Sequence, residues 1–128
     1  MAIITIVGSG MMGSALAFPA RENGNTVRLV GTHLDREIIE TCKKTNRHPK
    51  FKKDFPAGVE YYQIESLDEA LAGADLVIGN HSHVYGEFYK YNGKYIIYSL
   101  GNFCFGGNRN PDDKRCIIFQ QSFGIMES

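Results

Sequence analysis

Charge of one sign gathers nowhere in this chain: its 14 Lys and Arg balance its 14 Asp and Glu to a formal net charge of zero. That removes the electrostatic footprint expected of a nucleic-acid binder or of a protein drawn to an anionic membrane surface. It also leaves little repulsion between copies near neutral pH. No Cys-x-x-Cys pair is present, and the three cysteines, Cys42, Cys104 and Cys116, are far apart and odd in number. They give neither a zinc ribbon nor a disulfide framework, and read as small apolar residues kept reduced. No apolar run is long enough to cross a bilayer, and the N-terminal one is broken by glycines, unlike a signal peptide. These absences place the chain in the cytoplasm, without a membrane or nucleic-acid partner. At 128 residues it can hold one core, and has no room for a cofactor domain plus a separate catalytic domain.

What is present begins with a β-branched run, Ile3 to Val7, the mark of a strand buried on both faces. It feeds a glycine-rich turn and then a helix over Met11 to Asn23, with Met12, Leu16 and Ala20 at helical spacing, Pro19 inside it and Gly24 closing it. Thr26 to Val30 predicts a second strand. Leu34 to Asn46 predicts a second helix with Leu34, Ile38 and Cys42 inward and Glu40 and Lys44 paired one turn apart. After a connection from His48 to Pro56 come a third strand near Glu60 to Ile64, a capping box at Ser66-Leu67-Asp68-Glu69, a short helix, and a fourth strand at Asp75 to Ile78. The alternation β-α-β-α-β-α-β favours a parallel sheet with right-handed crossovers.

The composition then changes. Five of the seven tyrosines fall between Tyr85 and Tyr98, and helical periodicity stops. Asn92-Gly93 between two apolar runs is a strong hairpin signal, because both residues tolerate the positive φ of a type I′ turn. A final strand is expected at Arg115 to Phe123. The fold expected is thus α/β: a Rossmann-like βαβαβαβ half continued by an antiparallel hairpin and last strand in one mixed sheet. The parallel strands take the order third, second, first, fourth. The sheet edges are where two copies could pair into a homodimer.

Gly8, Gly10 and Gly13 have the spacing of a dinucleotide fingerprint. The first permits the tight strand-to-helix turn, the second lets a pyrophosphate approach the backbone, and the third lets helix and strand pack closely. With Ser9, the amides near Met11 and Met12 would hold the phosphates at the helix start. Beyond the second strand stands Gly31-Thr32-His33, not the acid that many such sites place on the ribose hydroxyls, and Asp35 reads as a helix-start residue. Thr32 and His33, with Arg36 nearby, suit the extra phosphate of NADP. Alternatively, the glycines serve only the turn.

Residues 1 to 78 resemble the N-terminal domain of NAD(P)-dependent glycerol-3-phosphate dehydrogenases, through Ile4-Thr5-Ile6-Val7-Gly8-Ser9-Gly10, Gly13-Ser14-Ala15-Leu16-Ala17 and Val27-Arg28-Leu29-Val30-Gly31-Thr32. The resemblance implies a Rossmann fold and a catalytic lysine and substrate site on later segments, to which nothing here corresponds. Residues 79 to about 121 resemble capsule and poly-γ-glutamate synthesis proteins of the calcineurin-like metallophosphoesterase type. That resemblance rests on Gly79-Asn80-His81-Ser82-His83-Val84, Tyr91-Asn92-Gly93-Lys94 and Tyr98-Ser99-Leu100-Gly101-Asn102-Phe103. It implies that His81 and His83 descend from metal ligands; Ser82 departs from the family's usual proline between them. Two imidazoles are too few to hold a metal, and His48, His33, Asp75 or Cys104 would have to join them.

Neither half is a whole active site. The leading expectation is a recombined or engineered chimera with no catalytic residues and no required cofactor. The runners-up are a module that keeps weak NAD(P) or adenine-nucleotide binding, and a phosphoesterase remnant. The aromatic cluster Phe88, Tyr89, Tyr91, Tyr95 and Tyr98 reads as cross-strand packing rather than a stacking platform.

Overall fold

The computed structural model describes residues 2–80 and 88–98. They form a mixed α/β sheet of six strands: β1 (Ile3–Val7), β2 (Thr26–Val30), β3 (Glu60–Tyr62), β4 (Leu76–Gly79), β5 (Phe88–Tyr91) and β6 (Lys94–Ile97). The helices are α1 (Met11–Glu22), α2 (Arg36–Thr45) and α3 (Leu67–Leu71), the last preceded by a 3₁₀ turn at Ile64–Ser66. The strand order is β3-β2-β1-β4-β6-β5. The first four strands thus take the expected order and the hairpin extends the sheet beyond β4. Asn92 and Gly93, at φ 49° and 78°, make its turn. β6 runs parallel to β4, and among the described strands the antiparallel pair is β5 with β6. The expected strand at 115–123 lies outside the described residues.

One face of the sheet carries the core. Ile4 and Ile6 of β1, Val27 and Leu29 of β2, Leu76 of β4 and Ile97 of β6 are buried with Ala17, Ile39, Cys42, Phe55 and Val59. Residues paired across parallel strands point to the same side, so the registers Ile4↔Leu76 and Leu76↔Tyr95 keep this apolar face continuous from the first half into the hairpin. The opposite face receives α3, where the Thr5 hydroxyl donates to the Ala70 carbonyl at 2.5 Å and Arg28 Nη1 to the Ala72 carbonyl at 2.7 Å.

Packing adds detail at α1, and the expectations at α2 and α3 are corrected. Helix α1 buries Gly13, Ser14 and Ala17, while Leu16 and Ala20 are only partly buried; small residues let the helix lie close to β1 and β2. Leu34 is not inside α2 but 78 % exposed in the turn before it. The helix starts at Arg36 because the Asp35 carboxylate is drawn inward, and its buried residues are Ile39 and Cys42, with Lys43 rather than Lys44 near Glu40 at 3.9 Å. Ser66 stands at the start of α3 but makes no side-chain cap, so the capping box is not formed. The 3₁₀ turn runs into the helix there, and the Ser66 amide already donates to the Gln63 carbonyl at 3.0 Å. Pro19 lies inside α1 without ending it, and Gly24, at φ 85°, follows its end and donates to the Arg21 carbonyl.

Candidate functional site

Strand β1 ends at Val7, and the Gly8 amide donates to the Val30 carbonyl at 2.8 Å before the chain turns into α1. Gly8 sits at φ 105°, where a side chain would be strained. Gly10 is the N-cap residue of α1 and offers no side-chain cap. The first helical bond runs from the Ser14 amide to the Gly10 carbonyl at 2.9 Å. The amides of Met11, Met12 and Gly13 therefore stand at the open end of a helix of 12 residues, with the positive end of its dipole. A Cβ on Gly13 would overlap the Gly8 carbonyl oxygen and the Asn80 side chain, so the third glycine is required for packing.

Four elements clamp the turn at Ser9 and Gly8. The Ser9 amide donates to Asp35 Oδ2 at 3.1 Å. The Ser9 carbonyl accepts from Ser14 Oγ at 3.0 Å and lies 3.1 Å from His48 Nε2. The Asn80 side-chain amide donates to the Val7 and Gly8 carbonyls at 2.9 and 3.1 Å. His48 is 1 % exposed, and its other nitrogen, Nδ1, accepts the Lys50 amide at 3.1 Å. A backbone amide can only donate, so Nδ1 is the unprotonated nitrogen and Nε2 carries the proton given to Ser9. Burial pushes the His48 pKa down; the bond to Ser9 opposes this, Lys50 adds to it, and Asp35 opposes it.

Ser9 Oγ is buried at the turn and has no hydrogen-bond partner among the described residues. The uncapped amides at the start of α1 are donors of the kind that a phosphate group accepts from.

Thr32 and His33 part company. Thr32 donates both its amide and its hydroxyl to Asp35 Oδ2, at 2.9 and 3.1 Å, and is drawn toward Ser9 by that shared acceptor. His33 is exposed on the loop, and Arg36 is paired with Glu65. Asp35 stands at the helix start by position, but its carboxylate ties two loops and caps nothing. Sequence reasoning missed the roles of Asp35, Ser14, His48 and Asn80. Asp35 had one signal, its place just beyond the second strand.

His81 and His83 lie outside the described residues. Of the side chains that were to join them, His48 is committed beneath the turn. Asp75 accepts the Ile3 amide at 2.9 Å and pairs with Lys94 at 3.1 Å, which together hold its pKa down against its own desolvation. Among the described residues no three His, Cys, Asp or Glu side chains group as metal ligands. In the hairpin, Tyr89 and Tyr98 meet edge to face at 5.6 Å, whereas Tyr95 points to the other side beneath Lys90.

The fold and the turn define a Rossmann-like α/β unit, and comparison with known proteins divides it. The first part is similar to the NADP(+)-dependent glycerol-3-phosphate dehydrogenase of Archaeoglobus fulgidus: 40 % identity over 76 residues, 59 % of this chain and 22 % of that one. A solved glycerol-3-phosphate dehydrogenase from Coxiella burnetii shares the fold, with a TM-score of 0.54 and 22 % identity, covering 61 % of this chain and 23 % of that one. The family described as bacterial capsule synthesis protein PGA_cap matches residues 59–107. The PGA biosynthesis protein CapA of Bacillus subtilis is 56 % identical over 43 residues, 32 % of this chain and 11 % of that one. The chain thus spans about a fifth of the dehydrogenases and about a tenth of the capsule protein. Segments of it match two distinct sets of proteins, consistent with a chimeric composition. The capsule-family match begins ahead of β3 and overlaps the stretch matched to the dehydrogenases.

No helix among the described residues is long and apolar enough to cross a membrane.

Proposed function

We propose that this chain is a recombined or engineered α/β unit whose retained function is weak binding of a nicotinamide dinucleotide at the Gly8 to Gly13 turn, without turnover. The single observation that carries the reading is the state of that turn: open amides at the start of α1, no side-chain cap at Gly10, and Gly8 at a φ of 105° leading the chain into it. The pyrophosphate would lie on the amides of Met11, Met12 and Gly13. Asp35 Oδ2 is engaged by Ser9 and Thr32 rather than offered to ribose hydroxyls, which favours NADP over NAD. His33 would then be the loop residue beside the added phosphate, and Thr32 would act through the backbone it fixes. The dinucleotide would supply hydride chemistry in a whole dehydrogenase; here the residues bind and orient it.

Titration of the purified chain with NADPH and NADH, followed by nicotinamide fluorescence, tests the proposal. NADPH should bind, more tightly than NADH, and Gly10→Val should abolish binding by placing a side chain where the pyrophosphate meets the backbone. Equal affinity in the variant, or no binding by the parent chain, would overturn it. Oxidation of glycerol 3-phosphate should be undetectable with either cofactor; a rate that disappears in Gly10→Val would show a working enzyme instead.

A further inference from the structure

We infer that Asn80, which directly precedes His81 and lies in the capsule-like segment, is a positioning residue for the nucleotide turn that the dehydrogenase-like segment supplies. The inference rests on the nucleotide reading given above. Asn80 follows β4, whose neighbours in the sheet are β1 on one side and β6 on the other. Its backbone amide makes the last rung to β1, donating to the Val7 carbonyl at 3.2 Å. Its side-chain amide then reaches the Val7 carbonyl again at 2.9 Å and the Gly8 carbonyl at 3.1 Å, across 72 residues of sequence. Both partners are carbonyl oxygens and can only accept, so the nitrogen of the side chain, with its two protons, must face them.

The position of those carbonyls matters to the ligand. Gly8 is held at φ 105°, and turning its carbonyl away from Asn80 would rotate the peptide that leads to Ser9 and Gly10. Gly13 packs against the same Asn80 side chain and the same Gly8 carbonyl, so the first and third glycines of the fingerprint share one contact residue. The remaining tethers act one residue later: Asp35, His48 and Ser14 all hold Ser9. Asn80 fixes how the chain enters the turn, and those three fix how it leaves. No other described side chain donates to the Gly8 carbonyl.

The test is Asn80→Asp, which keeps the shape and replaces the donor by an acceptor facing two carbonyls. With NADPH as the probe at pH 8, affinity should fall about tenfold, equivalent to roughly 1.4 kcal/mol. Two carbonyl oxygens facing the new carboxylate raise its pKa above the ordinary value of about 3.9, so relative to the parent chain at the same pH the loss should shrink as pH falls from 8 toward 5, where the protonated carboxyl again supplies one donor. Amide hydrogen exchange without ligand is the second readout. In Asn80→Asp and Asn80→Ala, the bonded turn amides of Gly8, Ser9 and Ser14 should exchange faster while those of Val27 and Leu29 stay protected. Parental affinity in Asn80→Asp, or unchanged exchange at the turn, would overturn the inference. Loss of protection at Val27 and Leu29 as well would also overturn it, in favour of a general structural role. Should the parent chain bind no NADPH, the nucleotide reading fails, and the exchange experiment still decides whether Asn80 positions the turn.

Discussion

His48 shows how much one buried side chain can decide at this site. In the fold it is neutral, with Nε2 donating to Ser9 and Nδ1 accepting from Lys50. A second proton would have to go on Nδ1, against the Lys50 amide, inside the protein. Its pKa is accordingly lowered from the ordinary 6.5, with burial the first cause. The unfolded chain therefore takes up this proton more readily than the folded one. The stability His48 contributes is complete above about 6.5 and declines as pH falls below that value toward the lowered folded one. Urea midpoints should drop between pH 7.5 and 5.5, and His48→Gln should flatten that slope; an equal slope in the variant would assign the proton to another group. The glycines of the turn were legible because their spacing reports backbone shape directly. Asp35, His48 and Asn80 were not, because each reaches its partner across 26, 39 and 72 residues and no local pattern announces such a bond.

Among the elements, β6 joins the two parts of the chain most firmly. Ile97 is fully buried in the same core as Ile4, Ile6 and Leu76, although it comes from the hairpin. Ile97→Ala should destabilise the whole described fold by about 2–5 kcal/mol, through lost burial and the cavity left behind. Loss confined to the hairpin, read by chemical denaturation with exchange at Val27 as the second probe, would show that β6 is only an appendage. The hairpin itself was legible from Asn92-Gly93, since only residues that accept positive φ make that turn. Its direction was not, because pairing of β6 with β4 is set by tertiary packing. The start of α2 was misplaced for a related reason: Leu34 has the right spacing for an inward residue, but the pull of Ser9 and Thr32 on Asp35 sets where the helix begins.

At the scale of the molecule, the sequence change after residue 78 invites a picture of two pieces side by side, whereas the described residues share one sheet and one apolar face. The alternation of strands and helices made the order β3-β2-β1-β4 readable, since right-handed crossovers allow few others. The sharing of the core was not readable, because it depends on the register of Leu76 with both Ile4 and Tyr95. Separately expressed fragments 1–79 and 80–128 should each lack a cooperative thermal transition, since the first loses Ile97 and the second loses the sheet it pairs with. A sharp transition in 80–128 alone would refute the single core.

The place of β1 also has a consequence in time. It is the earliest of the described strands along the chain and lies between β2 and β4. On a ribosome, its β2 side is matched within about two dozen residues, but its other side waits until Leu76–Gly79 has been made. Through that interval the nascent chain carries a half-paired, β-branched strand, and the Gly8 turn stands without the side chain that closes it from the far side.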